Sequence, residues 1–582
     1  MSTQATQHNT APTELEKALK QVRGGFLAAG GFSLFINLLM LTPSIYMLQV
    51  YDRAMGSRSN ETLLMLTIIL VILFVTLGLL EMVRSAILVR IGNAIDVNLG
   101  SKIFSSMFRL AIDRPGNPTA QPLNDLTSLR QYLTSAGPIA FFDGPWFPVY
   151  LIVLFMFHPM YGIFCIIAAL ILGGLAIANE KLTGKRMATA GQANIQSTNY
   201  AASCLRNAEV VHAMGMENNL RGRWLDRHNE FLVNQAEASD RAAILTNSSK
   251  ALRQLFQSLM LGLGAYLAIA QEISPGMVIA GSILMGRALA PLDLMIGSWK
   301  GFSGARSAYG RLQDLLRHYY SERDPMPLPA PAGNLAIEGV VVVPPGAAQP
   351  SIRGLGFSLA SGEMLAVVGP SAAGKSSLAR AILGVWPLAA GKVRLDGADI
   401  HQWDKAQLGP YVGYLPQDIE LFEGTISENI CRFGEVNPQA VVAAAQLAGV
   451  HELILRLPQG YDTRISVAGG VLSGGQRQRI GLARAVYGNP RLIVLDEPNS
   501  NLDEQGEQAL VASLEQLRQR GATVVLITHK KQILRLVDKI LVMADGQPVG
   551  FGPRDDVMLA LQNGQLAIPG RPAGNAPQGG RS

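Results

Sequence analysis

Cysteine is nearly missing from this chain: three residues in 582, Cys165, Cys204 and Cys431, lie far apart and in no metal-ligand spacing. That pattern argues against both a disulfide framework and a Cys/His zinc site. Charge is scarce as well. Only 16% of residues are Asp, Glu, Lys or Arg, and the net charge of +6 is spread without a basic stripe, so no nucleic-acid partner is expected. No short repeat recurs, which removes solenoids and propellers. The opening stretch TELEKALKQVRGG is too long for a signal-peptide head and leads into a full-length apolar run, so no cleavable signal is expected.

What the chain does have is length enough for more than one domain and an uneven distribution of apolar residues. A membrane-spanning helix needs ~20 mostly apolar residues. Six stretches qualify: Phe26–Val50, Leu63–Val83, Pro138–Phe157, Tyr161–Ala178, Ala251–Ala270 and Met277–Ile296. Nothing amphipathic lies between them to cover them as soluble core helices, so the partner of this half is a lipid bilayer. Lys17, Lys20 and Arg23 precede the first stretch, and the two long connections, after the second and after the fourth, carry most of the other basic residues. The positive-inside rule therefore places both termini and both long connections in the cytosol.

The long connections also read as helical, with tips near Pro115–Asn124 and Gly215–Arg223. They serve either as solvated loops or as contact points for a soluble domain, and their length and helical pattern favour contact. Asp143, Arg287 and Asp293 fall in or beside the apolar stretches. Such charges either line a pathway or pair for structure. Pro291 is a candidate bend.

From about Leu335 strands and helices alternate. EMLAVVG is a buried strand running into GPSAAGKSS, and KSSLARAILGV is the following helix. That context is what the G-x-x-x-x-G-K-[ST] phosphate loop requires. Gly369, Pro370, Ser371, Ala372, Ala373, Gly374, Lys375, Ser376 and Ser377 form the cradle. Lys375 is expected on the β- and γ-phosphates and Ser376 on Mg²⁺. RLIVLDEP is a second buried strand with Asp496 and Glu497 at its carboxyl end, where parallel sheets bind ligands. Asp496 is a candidate Mg²⁺ holder and Glu497 the candidate base for the attacking water. Gln417 in VGYLPQD is expected to reach Mg²⁺ and the γ-phosphate; His529 in VVLITHK is expected to hold the γ-phosphate and that water in line. Taken singly, either of these two also fits a structural polar cap.

LSGGQ poses a different question. Ser473, Gly474, Gly475 and Gln476 open a helix whose N-terminus suits an anion, yet a phosphate loop is already present. This stretch lies beyond a helical insertion at roughly Pro438–Leu457, which places it away from its own loop. The economical reading is a head-to-tail pair of chains with two shared ATP sites, an isologous arrangement. Asp503 in SNLD is expected at a contact between the two copies.

GPSAAGKSS, YLPQD, LSGGQ, LIVLDEP, SNLD and ITH, in this order and after the spans, resemble an ATP-binding-cassette exporter with fused membrane and nucleotide domains. DGPWFPVY, GRALAPLD and VVVVPPGAAQPSIRGLGFSL resemble more narrowly the permease/ATPase of bacterial type I secretion, in its protease- and lipase-exporting branch. The resemblance implies an all-α six-helix transmembrane domain fused to an α/β phosphate-loop domain. It also implies an inner-membrane homodimer, coupling helices at the loop tips, ATP and Mg²⁺ as cofactors, a periplasmic adaptor and an outer-membrane channel. The cargo would be an unfolded protein with an uncleaved C-terminal signal. The expected boundaries are a cytosolic segment at 1–25, the membrane domain at 26–315, a linker at 316–334, the nucleotide domain at 335–560 and a disordered tail at 561–582. Some twenty-five residues before the first span are too few for a folded peptidase domain.

Two departures stand out. Where related exporters place an adenine-stacking aromatic this chain has Val343, and TRISVAGGVLSGGQ lacks the acid–glycine pattern many of them show. A lipid or drug exporter of the same architecture, and a nucleotide-gated channel that does not pump, are the rival readings. Intact Glu497 and His529 argue against the channel, and the spans exclude a soluble cassette ATPase.

Overall fold

The computed structural model describes residues 12–114, 119–320, 328–465, 472–563 and 566. Part of the first expected loop tip (115–118), part of the linker (321–327), the segment before LSGGQ (466–471) and the tail beyond 566 lie outside the described residues. The chain forms two compact units, with the change-over between Ser321 and Glu322.

The first unit is helical. The short α1 (Glu14–Gln21) starts in a reciprocal Thr13/Glu16 capping box and buries Leu15 and Ala18 against a cluster containing Ile95, Leu99 and Leu312. Next come α2 (Arg23–Leu39) and α3 (Thr42–Gln49). Pro43 stands in the first turn of α3, where its missing N–H costs nothing, and the first apolar stretch is broken there into two helices. Beyond them lie α4 (Asn60–Asp113), α5 (Gln121–Leu133), α6 (Ala136–Asp143) and α7 (Phe147–Phe157). The unit closes with α8 (Pro159–Leu205), α9 (Ala208–Ala213), α10 (Glu217–Ile269) and α11 (Pro275–Tyr319), the last running on through Pro291. At 54 residues α4 is about 80 Å long, far more than a bilayer requires. The long connections are therefore helices that carry on past the apolar stretches, and the loop reading of them does not hold. The second connection turns at Gly215, whose φ of +62° suits glycine.

Among the described residues five helical stretches are long and apolar enough to cross a membrane: Arg23–Met55, Asn60–Asp113, Ala136–Phe157, Pro159–Leu205 and Pro275–Tyr319. The expected count of six is not confirmed. The stretch 251–270 ends α10, where Arg253, Gln254, Gln257 and Ser258 dilute its apolar character. Packing between these helices relies on small residues. A methyl group added to Gly264 of α10 would meet the Tyr161 hydroxyl at 2.3 Å, and one on Gly281 of α11 would meet its ring at 2.4 Å.

Two of the three intramembrane charges are paired. Arg84 Nη1 donates to Asp143 Oδ1 (3.0 Å) and to Ser33 Oγ (3.0 Å). Asn37 Nδ2 also donates to Asp143 (2.9 Å), and the Tyr150 hydroxyl donates to Asn37 Oδ1 (3.0 Å). Asp293 pairs with Arg253 and accepts from Ser249. These contacts join α2, α4, α6 and α7 in one network and α10 to α11 in the other. That is what the structural reading of Asp143 and Asp293 requires.

The second unit is α/β. Its strands are β1 (Leu335–Val342), β2 (Ile352–Leu359), β3 (Met364–Val368), β4 (Ala390–Leu395), β5 (Ala398–Asp399) and β6 (Val412–Leu415). They continue as β7 (Gly424–Thr425), β8 (Arg464–Ile465), β9 (Leu492–Asp496), β10 (Thr523–Ile527), β11 (Lys539–Ala544) and β12 (Gln547–Pro553). One antiparallel sheet has the order β2-β1-β4-β5, and the larger sheet has the order β12-β11-β3-β10-β9-β6. In the larger sheet β11, β3, β10, β9 and β6 run parallel. Strands β3, β9 and β10 are buried at every position, as their uninterrupted apolar sequences demand. The helical insertion appears as Pro438–Leu447 and His451–Leu455.

Candidate functional site

Strand order assembles the site. β3, β10, β9 and β6 are neighbours, and their carboxyl ends lead to the phosphate loop, His529, Asp496–Glu497 and Gln417 respectively. Four segments separated by up to 160 residues thus open on one edge of the sheet, where parallel α/β sheets bind ligands.

The loop between β3 and the helix Lys375–Ile382 is built on close backbone approaches. A methyl group on Gly369 would stand 2.2 Å from the Met543 carbonyl oxygen, and one on Gly374 would stand 2.5 Å from that of Ser351. Gly374 has a φ of +92° and Ala372 one of +63°. Lys375 Nζ donates to the carbonyls of Gly369 and Pro370, both at 2.8 Å, so its ammonium is folded over the loop it belongs to. Burial lowers the Lys375 pKa, against the nearby charges of Glu497 and Asp496.

Asp496 is 2% exposed, and its Oδ1 has no hydrogen-bond partner among the described residues. Burial raises its pKa, opposed by a hydrogen bond from Ser376 and reinforced by the charge of Glu497. A buried carboxylate oxygen left unpaired is costly unless something else engages it. Beside the Ser376 hydroxyl this donor set is all oxygen, which suits a hard cation such as Mg²⁺.

Glu497 sits in the left-handed region at φ +49°, a strained setting for a non-glycine residue that the surroundings must enforce. Its N–H donates to Ile527 O (3.0 Å), and its own carbonyl accepts from Gln478 Nε2 (3.2 Å). Its carboxylate accepts from Gln417 Nε2 at 3.3 Å, joining two of the expected residues. Burial, then the Lys375 charge, hold the His529 imidazole below its ordinary pKa, with Glu497 opposing. His529 is therefore uncharged at neutral pH, able to accept a hydrogen bond on one ring nitrogen. Its loss by protonation is expected below the usual histidine value of about 6.5. The ratio of wild-type to His529→Gln ATPase rates should accordingly stay level from about pH 8 to 6.5 and fall only below that; a decline centred above 6.5 would contradict it.

LSGGQ lies elsewhere in the hydrogen-bond network. Ser473 is exposed and caps the helix Gly474–Val486, accepting from Gln476 N (3.3 Å), while its own N–H donates to Gln476 Oε1 (2.8 Å). A methyl on Gly475 would come within 2.9 Å of the Asn501 carbonyl oxygen. No hydrogen bond among the described residues joins 473–476 to the loop 369–377. Asp503 caps the helix Glu504–Gln519, and its Oδ1 accepts from Arg479 Nη2 at 2.6 Å. Val343 stands just past the end of β1, half-buried.

Sequence reasoning overlooked Gln478. Buried at 2% exposure, it donates to Glu497 O and accepts from Asn501 N (2.9 Å), fastening the turn after β9 to the LSGGQ helix. Thr528, also overlooked, donates to Asn499 Oδ1 (3.1 Å) from the end of β10. The available signal was a glutamine recurring two residues after Gln476 on a buried helix face.

Residues 352–500 match the family model described as ABC transporter, and residues 26–291 match that of the ABC transporter transmembrane region. The chain is 45% identical to the type I secretion system ATP-binding protein PrsD of Rhizobium meliloti (strain 1021), over 93% of each chain. It is 28% identical to the cyclolysin secretion/processing ATP-binding protein CyaB of Bordetella pertussis, over 91% of this chain and 75% of that one. The solved structure of a bacterial Atm1-family ABC exporter with ATP bound superposes with a TM-score of 0.80 at 20% identity, covering 94% of this chain and 99% of the other. At that identity the likeness is one of fold.

Proposed function

We propose, from the premise that this chain belongs to the ATP-binding-cassette exporters of type I secretion systems, that it is a homodimer exporting unfolded protein through two shared ATP sites. ATP binding and hydrolysis coupled to transport across a membrane come with the family. The finer assignments belong to the same proposal. They include the domain limits 26–315 and 335–560, a sixth span at 251–270, and an inner-membrane location with cassette and termini in the cytosol.

In this reading the N–H groups of 369–377 and the Lys375 ammonium hold the β- and γ-phosphates. Ser376, Asp496 and Gln417 would hold Mg²⁺, which neutralises charge building on the phosphate oxygens. Glu497 orients and polarises the attacking water, and neutral His529 fixes that water and the γ-phosphate in line. Ser473, Gly474, Gly475 and Gln476 of one copy close on the nucleotide held by the other, so ATP joins the copies and hydrolysis loosens them. The observation that carries the shared site is Ser473: it is exposed at a helix N-terminus and bonded only within its own turn. The proposed partners are a periplasmic adaptor, an outer-membrane channel and a secreted protein with a C-terminal signal.

The test compares proteins released by the source cell with the gene intact, deleted, or carrying Glu497→Gln. Loss of one or a few large proteins from the medium in both altered strains is the expected result. An unchanged medium with altered membrane lipids or drug tolerance would transfer the assignment to a small-molecule exporter.

A further inference from the structure

Two kinds of cavity follow one another along α8 and α11. The first, about 340 Å³, is lined only by apolar residues, among them Ile166, Leu170, Ala288 and Leu292. The second, about 230 Å³, mixes apolar residues such as Met187, Ala242 and Ile296 with polar groups including Asn179, Thr183, Trp299 and Lys300. A third, about 460 Å³, shares Gly184, Trp299 and Ser303 with the second and adds Lys181, Lys185 and Arg306.

Helical geometry puts these cavities on one track. Residues 18 apart on an α-helix are five turns apart and face the same way, and residues 11 apart are about three turns apart. Ile166 and Gly184 on α8 have the first relation; Ala288 and Trp299, and Leu292 and Ser303, on α11 have the second. Gly173 lies on the α8 face between, where an added methyl group would meet nothing within 4 Å. Those separations are about 27 Å along α8 and about 16 Å along α11, both within a hydrocarbon thickness of ~30 Å.

The polar end has unmet bonding capacity. Asn179 is 2% exposed with Oδ1 unpaired, and the Trp299 indole N–H is buried and unpaired among the described residues. Glu180 is the one acid among the lining residues of these two cavities, and it lies 4.0 Å from Arg306. No ion pair among the described residues engages Lys181, Lys185 or Lys300.

We propose that this track binds one anionic phospholipid, its phosphate headgroup in the basic cavity and an acyl chain along the apolar one. Trp299 and the lysines donate to phosphate oxygens, and a headgroup hydroxyl donates to Asn179 Oδ1. A phosphoglycerol headgroup supplies both kinds of partner. An acidic polypeptide segment would satisfy the lysines but has no use for an apolar cavity in line behind them, so the series favours an amphiphile.

The full chain, purified in neutral detergent, would be titrated with short-chain phosphatidylglycerol and phosphatidylcholine and bound lipid counted by native mass spectrometry. Phosphatidylglycerol should bind more tightly. Lys181→Gln, Lys185→Gln and Lys300→Gln together should weaken it by roughly a hundredfold, about fivefold per lysine. Leu292→Trp, which fills the apolar cavity, should also weaken it while leaving elution volume and ATPase rate unchanged. Equal binding of both lipids, or an unaffected triple variant, would overturn the proposal. So would glycerol phosphate binding as tightly as the lipid, which would mean a site for free phosphate. Displacement of the lipid by an acidic unfolded polypeptide at equal affinity would assign the track to cargo instead.

Discussion

Glu497→Gln is expected to leave ATP binding intact and to lower turnover by about 10²–10⁴-fold, the usual contribution of a positioned base. The substitution keeps the size of the side chain and the backbone anchors that hold residue 497 at φ +49°, namely its N–H to Ile527 O and the Gln478 bond to its carbonyl. What disappears is the carboxylate charge beside Lys375 and Asp496 and the ability to polarise water. With hydrolysis stopped and binding preserved, the two copies should remain joined around nucleotide. Phosphate release and the apparent mass of the nucleotide-bound protein report the two effects together. Near-normal release would remove Glu497 from its role.

Ser473→Arg should be nearly as damaging, with turnover down by about 10²–10³-fold, as when a donor to a developing charge is lost. Nucleotide binding to residues 369–377 should persist, because Ser473 makes no bond to them in its own chain. The effect depends on two copies. Mixed dimers carrying Ser473→Arg in one chain and Lys375→Ala in the other place both faults in a single shared site and leave the second site whole. If sites are shared, those dimers should keep measurable hydrolysis. Equal loss in every mixture, or full hydrolysis by an isolated monomer, would defeat the shared-site reading.

Much of this was legible before any coordinates. The cradle 369–377 is written in consecutive residues because one loop must wrap one phosphate group, and strand and helix on either side are marked by their own apolar patterns. Pro43 stands inside the first apolar stretch, and a new helix starts at that point. The sixth span was less legible, since 251–270 mixes polar residues into an apolar run and its character depends on what surrounds it. Gln478 escaped notice for a similar reason: nothing local says that a helix glutamine is buried behind Glu497.

The sequence by itself determined the parts: apolar runs long enough for a membrane, a phosphate cradle, and acids at a strand end. Each of these is a property of contiguous residues, set by local geometry and by the company a short segment keeps. Tertiary structure alone decided which parts meet. It set the order β3-β10-β9-β6, which brings Lys375, His529, Glu497 and Gln417 to one edge. It also paired Arg84 with Asp143 across 59 residues and aligned the cavities along α8 and α11. Those meetings depend on long-range packing, in which many small non-local contacts outweigh the entropy of closing long loops, and no short window of sequence records them.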